Sequence, residues 1–142
     1  MRYLLDTNIS IYLMKAHPPG VLRRLAELDV GDAVMSVVSY AELRVGIEQL
    51  GDTRARNEAA LNQLIARIPV LPFDERAAVS YGVLRAAVRE RRRDALDRLI
   101  AAHAASLDLT LVTNNEADFL GYPNLKIENW ATLYGSATAS TP

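Results

Sequence analysis

Short apolar runs alternate along the chain with stretches where apolar residues return every three or four positions, and the two patterns predict different elements. "RYLL" reads as a short buried strand that runs into Asp6. "ISIYLMK", from Ile9, reads as a helix that must stop before Pro18 and Pro19, because proline removes a helical hydrogen bond and clashes with the preceding turn. A second helix is predicted over residues 21–28, with apolar residues at Val21, Leu22, Leu25 and Leu28. "GDAVMS" gives a turn and a β-rich strand, which ends at Ser39. The helix "SYAELRVGIEQL" then has Ala41, Val45 and Leu50 along one side, and Gly51 and Asp52 break it. Residues 53–68 repeat the helical spacing through Ala60, Leu61, Leu64, Ile65 and Ile68, and "PVLPF" is an extended link or strand. Asp74 is placed to cap a helix carrying Val79, Val83, Leu84 and Val88. A further helix is predicted over 95–107, followed by the strands "LTLVT" and "LKIEN", and "GSATASTP" reads as a flexible tail over 135–142.

Strands separated by helices in this way predict an α/β fold around a mostly parallel sheet. At 142 residues the chain is sized for one domain, over 1–134, with a core large enough to stand without disulfides. In sheets of this kind ligands bind where the strands run out at their carboxyl ends. Function is therefore to be sought at Asp6, after Ser39, and beyond "LTLVT".

Composition narrows the chemistry. Half the residues are hydrophobic and 23% charged, the balance of a globular protein. There is no cysteine, so thiol chemistry and thiolate zinc are excluded, and a cytoplasmic setting is expected. No apolar run approaches the roughly 20 residues that cross a bilayer, so no membrane partner is expected. The net charge of −1 conceals a cluster of Arg89, Arg91, Arg92, Arg93 and Arg98 among Glu90, Asp94 and Asp97. That cluster suits contact with an RNA backbone or a protein partner, and equally a solvated helix end.

Four acids stand at strand ends or helix starts: Asp6, Glu42, Asp97 and Asp118. Ser39 and Glu42 have the spacing of a capping box; Asp97 stands three after Asp94, and Asp118 three after Asn115. Each alone is explained as a cap, since a carboxylate in a first helical turn is favoured by about 0.3–1 kcal/mol. Together they suggest convergence. Carboxylates brought close repel unless a cation neutralises them, and a set with oxygen donors only and no histidine pair suits Mg²⁺ or Mn²⁺.

With those residues in view, "LLDTNI", "SYAELRVG", "DRLIAAHA", "LVTNNEADF" and "IENW" resemble, in order and over nearly the whole chain, the successive blocks of PIN-domain endoribonucleases, specifically VapC-type toxins of bacterial toxin-antitoxin pairs. The resemblance implies a three-layer α/β/α fold and an acidic pocket that binds Mg²⁺ or Mn²⁺ and cuts RNA. Asp6, Glu42 and Asp97 are similar in position to the family's three principal acids. The fourth position is open: many relatives carry an acid at the place of Asn115, and the alternatives here are Asp118, a water held by Asn115, or a site of three acids only; "RRRDA" also replaces a small Gly-containing turn before Asp97. It implies partners as well: an RNA substrate, a small antitoxin whose C-terminal segment crosses the acidic groove, and a second copy of the chain as a homodimer.

The expected chemistry is metal-assisted phosphodiester hydrolysis, with Asp6 and Asp97 holding the ion and Glu42 completing its shell or orienting water. Thr7 and Asn8 would contact Asp6 or substrate, and Ser39, Thr113, Asn114 and Asn115 would position a phosphate or a carboxylate. Arg91, Arg92, Arg93 and Arg98 are candidate contacts for RNA or the antitoxin. His103, about 240° around the helix from Asp97, reads as structural, His17 as a surface loop residue, and Trp130 as an anchor for the C-terminus. Ile11, Leu13, Met14, Leu43, Val45, Ile47 and Leu50 exceed what one buried face per helix requires, which suggests an interface. Two rival functions are a degenerate PIN fold that only binds a partner or RNA, and an aspartate-based phosphatase. The second lacks an acid at Asn8 to protonate the leaving group.

Overall fold

Alternation within the strands decides the layers, because successive strand residues point to opposite faces of a sheet. The computed structural model describes residues 1–88 and 95–131. In it β1 (Tyr3–Leu5), β2 (Ala33–Ser36), β3 (Val70–Leu71), β4 (Thr110–Val112) and β5 (Lys126–Glu128) form one sheet in the order β3-β2-β1-β4-β5, with every pairing parallel. The register places Leu4 beside Val34 and Leu111, and Leu5 beside Met35 and Val112.

Each row faces its own core. Tyr3, Leu5, Ala33, Met35 and Val112 pack against α1 (Thr7–Lys15), α2 (Pro19–Ala26), α3 (Val37–Glu48) and α4 (Arg54–Arg67). Leu4, Val34 and Leu111 pack against α5 (Glu75–Ala87) and α6 (Ala95–Ser106) on the other face. This is the expected α/β/α sandwich around a parallel sheet. Leu4 and Leu5 are fully buried, and each such side chain stabilises the fold by about 1.5–3 kcal/mol relative to exposure.

Several predicted boundaries and faces shift. β2 ends at Ser36 rather than Ser39, and Ser36 caps α3 by accepting the Val38 N–H at 3.1 Å. The predicted capping box of Ser39 and Glu42 is therefore not formed: both residues lie inside the helix. Valines 37 and 38 look like strand residues, but the pairing stops at Ser36↔Leu71 and a serine cap starts the helix there. On α3 the buried face is Ser39, Leu43 and Ile47, spaced four apart, so Val45 stands 56% exposed instead of in the core. On α5 Ala77 and Leu84 are buried and Val79 and Val83 are exposed.

Other readings hold. Asp74 caps α5, its Oδ1 accepting the Ala77 N–H at 3.0 Å. His103 is buried, with Nδ1 2.8 Å from the Ser36 hydroxyl and its ring edge-on to Phe73. His17 is exposed, and Trp130 is fully buried against Tyr3 with its indole N–H donating to Glu128 at 2.8 Å. Arg44, Glu48, Arg54 and Glu58 form a closed ring of ion pairs that ties α3 to α4 across the Gly51 break. No helix among the described residues is long and apolar enough to cross a membrane. The tail at 135–142 lies outside the described residues.

Candidate active site at the carboxyl edge of the sheet

The central strand β1 delivers Asp6 to the carboxyl edge, between the ends of β2 and β4. Asp6 is the N-cap of α1: its Oδ1 accepts the Ile9 N–H at 2.9 Å. A solvated cap would need nothing more, yet Asp6 is only 6% exposed. The end of β4 supplies a second donor, the Thr113 hydroxyl, which bonds the Asp6 carboxylate and itself accepts the Asn115 N–H at 3.0 Å.

Glu42 arrives from α3. The Thr7 hydroxyl, one residue past Asp6, lies 2.6 Å from Glu42 Oε1 and 3.2 Å from the Ser39 hydroxyl, so α1 and α3 are joined by polar contacts beside the buried aspartate. Burial is the main force holding the Asp6 carboxyl above its ordinary range, and the negative charge of Glu42 adds to it; the bonds from Thr113, Ile9 and Asn8 oppose them. No cationic side chain among the described residues pairs with either carboxylate.

Asp97 stands half-buried in the first turn of α6, the helix that leads into β4. Asp94, which stands three positions before it, lies outside the described residues, as do Arg89, Glu90, Arg91, Arg92 and Arg93. Arg98 is 5% exposed, which removes it from the surface that RNA or another protein could touch. Asp118 sits in a 3₁₀ turn, Glu116–Phe119, and its carboxylate accepts a bond from the Asn115 amide. The two candidates for the fourth position are thus bonded to each other.

Among the described residues no three acidic or histidine side chains already stand at metal-ligand spacing. The donor set nevertheless fits a hard divalent ion: a buried, electrostatically unfavourable carboxylate, a second carboxylate beside it, hydroxyl oxygens around both, and no sulfur or ring nitrogen. His103, the nearest candidate nitrogen ligand in sequence, is committed to Ser36.

Sequence reasoning missed three contacts. Thr7 was expected to serve Asp6 or substrate but bonds Glu42, 35 positions away. Tyr12, not singled out, has its hydroxyl 2.6 Å from the Asn114 amide, 102 positions away. Ser36 joins the start of α3 to His103 on α6. No local pattern marks such pairs, since the sheet order creates them. Beside Glu42 opens a groove of about 280 Å³ between α1, α3 and α4, walled by Ile11, Met14, Leu43, Ile47 and Leu50. It takes up much of the aliphatic surplus on those helices.

The comparisons with known proteins agree with this architecture. The family model of the PIN domain matches residues 3–123. Ribonuclease VapC2 of Rickettsia felis is 33% identical over 133 residues, covering 92% of this chain and 98% of that protein. The tRNA(fMet)-specific endonuclease VapC of Shigella flexneri is 35% identical, covering 92% and 99%. The crystal structure of DNA-bound VapBC from Salmonella typhimurium contains a chain that superposes with a TM-score of 0.83 at 33% identity, covering 92% of this chain and 98% of that one.

Proposed function

The chain belongs to the PIN-domain family, and we propose that it is a metal-dependent endoribonuclease, the toxin of a toxin-antitoxin pair. The observation that carries this reading is the pairing of Asp6, buried at the end of the central strand, with Glu42 and no cationic partner among the described residues. Such a pair is unfavourable on its own and becomes favourable around a divalent ion. The reading assigns one PIN domain to residues 1–134, acting in the cytoplasm.

In this mechanism Asp6, Glu42 and Asp97 would hold Mg²⁺ or Mn²⁺, with Asp118 or Asn115 available for a fourth position. When bound, the ion stabilises charge developing on the scissile phosphate and makes water a stronger nucleophile. The chain's own groups do the rest. The bonds from Thr113 and the first N–H groups of α1 hold Asp6 in place and favour its ionised form against the effect of burial. Glu42, half-buried and at the rim of the groove, can direct a water toward substrate. Asn8 and Asn115 are exposed at the same edge, where a phosphate would pass. The groove beside Glu42 offers an antitoxin segment an apolar seat that ends at the carboxylates, and its occupancy would block substrate. A homodimer belongs to the same proposal.

The test is incubation of the purified chain with total RNA, with Mg²⁺, with Mn²⁺ or with EDTA. Cleavage that needs the ion and disappears in Asp6→Asn and Asp97→Asn supports the reading. Binding of RNA without cleavage in any metal would instead make the chain a binding module.

A further inference from the structure

We propose that Thr7 is a positioning residue which sets the cation affinity of the Asp6–Glu42 pair by holding Glu42 in place, with Ser39 as its support; this rests on the reading that the two carboxylates bind a divalent ion. A hydroxyl has one proton to give, and an ionised carboxylate can only accept. The 2.6 Å contact to Glu42 Oε1 therefore takes the Thr7 proton. The 3.2 Å contact to Ser39 must then be served by the Ser39 proton, since Thr7 Oγ1 keeps free lone pairs. The result is a directed chain from the fully buried Ser39 hydroxyl, through Thr7, to the carboxylate.

The chain of hydroxyls answers a specific difficulty. Glu42 has a long side chain and is half exposed, and the charge on Asp6 repels it. Without a tether it would turn toward water, away from Asp6, and an arriving cation would have to recapture it. Thr7 prevents this from a fixed position, because its backbone opens α1 immediately after Asp6. Both carboxylates are thus held by one short segment: Asp6 by the N–H groups of Asn8 and Ile9, and Glu42 by the side chain between them. Ser39 is one helical turn from Glu42 on α3, so the same element that carries the ligand carries its support. Hydrogen-bonded partners of this kind typically change metal affinity or activity about 10- to 100-fold when removed.

The experiment uses the full chain with Mn²⁺ as the probe, free aqueous Mn²⁺ being counted by electron paramagnetic resonance. Thr7→Val keeps the shape and removes the proton. It is expected to weaken Mn²⁺ binding about 10- to 100-fold, and to recover most of its RNA cleavage when the ion is saturating. Thr7→Ser should bind as wild type does, and Ser39→Ala should lie between. Mn²⁺ binding by Thr7→Val equal to wild type would overturn the proposal, as would cleavage lost at saturating ion with binding unchanged, or failure of Thr7→Ser to rescue. If Thr7→Val does not fold, Ser39→Ala must still weaken binding, and wild-type affinity there overturns the chain of support. Asp6→Asn separates the two levels: if it binds Mn²⁺ as wild type does, the carboxylate-pair reading itself has failed.

Discussion

Two helix starts in this molecule are built alike and end up in different roles. Asp6 and Asp74 each follow a strand, adopt an extended backbone, and accept the N–H three residues on, at 2.9 and 3.0 Å. Asp74 follows β3 at the edge of the sheet and is exposed. Asp6 follows β1 at the centre, where the Thr113 hydroxyl bonds it and the charge of Glu42 acts on it, and it is only 6% exposed. Capping is thus a local property of sequence, whereas a carboxylate becomes chemically usable through the neighbours that strand order gives it.

The largest expected effect comes from removing the charge at one start and the whole carboxyl group at the other. Asp6→Asn should reduce metal-dependent RNA cleavage by on the order of 10³-fold or more, as loss of a group that holds a catalytic ion removes several kcal/mol of transition-state stabilisation. Asp74→Ala should leave cleavage unchanged and lower stability by about 1 kcal/mol, the usual value of a lost N-cap, measured by urea denaturation. Stability should respond to Asp6→Asn in the opposite sense. A carboxyl whose folded pKa is raised favours folding below its unfolded value and opposes it as pH rises, so at neutral pH in EDTA the asparagine variant should melt at or above wild type. A clear loss of stability there would mean that the burial of Asp6 is not the strained feature inferred for it.

The next effect is the removal of the ion. Adding Mg²⁺ or Mn²⁺ at about 100 times its dissociation constant should stabilise the wild-type chain by about 2.7 kcal/mol, read as a rise in Tm that EDTA reverses. Asp74→Ala should show the full rise and Asp6→Asn should not. An equal rise in all three would place the cation away from the central strand.

How far such contrasts could be read from the sequence differs from residue to residue. The strands, the α/β order, the Asp74 cap and the burial of Trp130 were legible because each follows from spacing within a few neighbouring positions. The start of α3 was misplaced because Val37 and Val38 carry a strand preference, while Ser36 and Ser39 are equally good caps by composition. Only the pairing of Ser36 with Leu71 decides between them. Thr7 with Glu42 and Tyr12 with Asn114 were not legible at all, since adjacent strand ends bring them together from distant parts of the chain. Asp6, by contrast, was singled out for its place at a strand end and not for the burial that sets it apart from Asp74.

The smallest expected effect links Asp74 to the buried His103. Burial holds His103 below the ordinary imidazole pKa, and the charge of Asp74 opposes that shift. A lowered folded pKa favours the neutral ring in the native state, so the stability it contributes is complete above the unfolded value, about 6.5, and falls as pH drops below it. Urea midpoints followed downward from pH 7 should therefore decline in wild type, and the decline should be shallower in His103→Gln, which removes the titration while leaving a side chain able to bond Ser36. In Asp74→Ala the opposing charge is gone, the folded pKa falls further, and the loss should continue to lower pH than in wild type. An acid slope that His103→Gln leaves untouched would assign the titration elsewhere. Asp74 would then be a cap alone, with no electrostatic reach into the core that Phe73 and Ser36 build around the histidine.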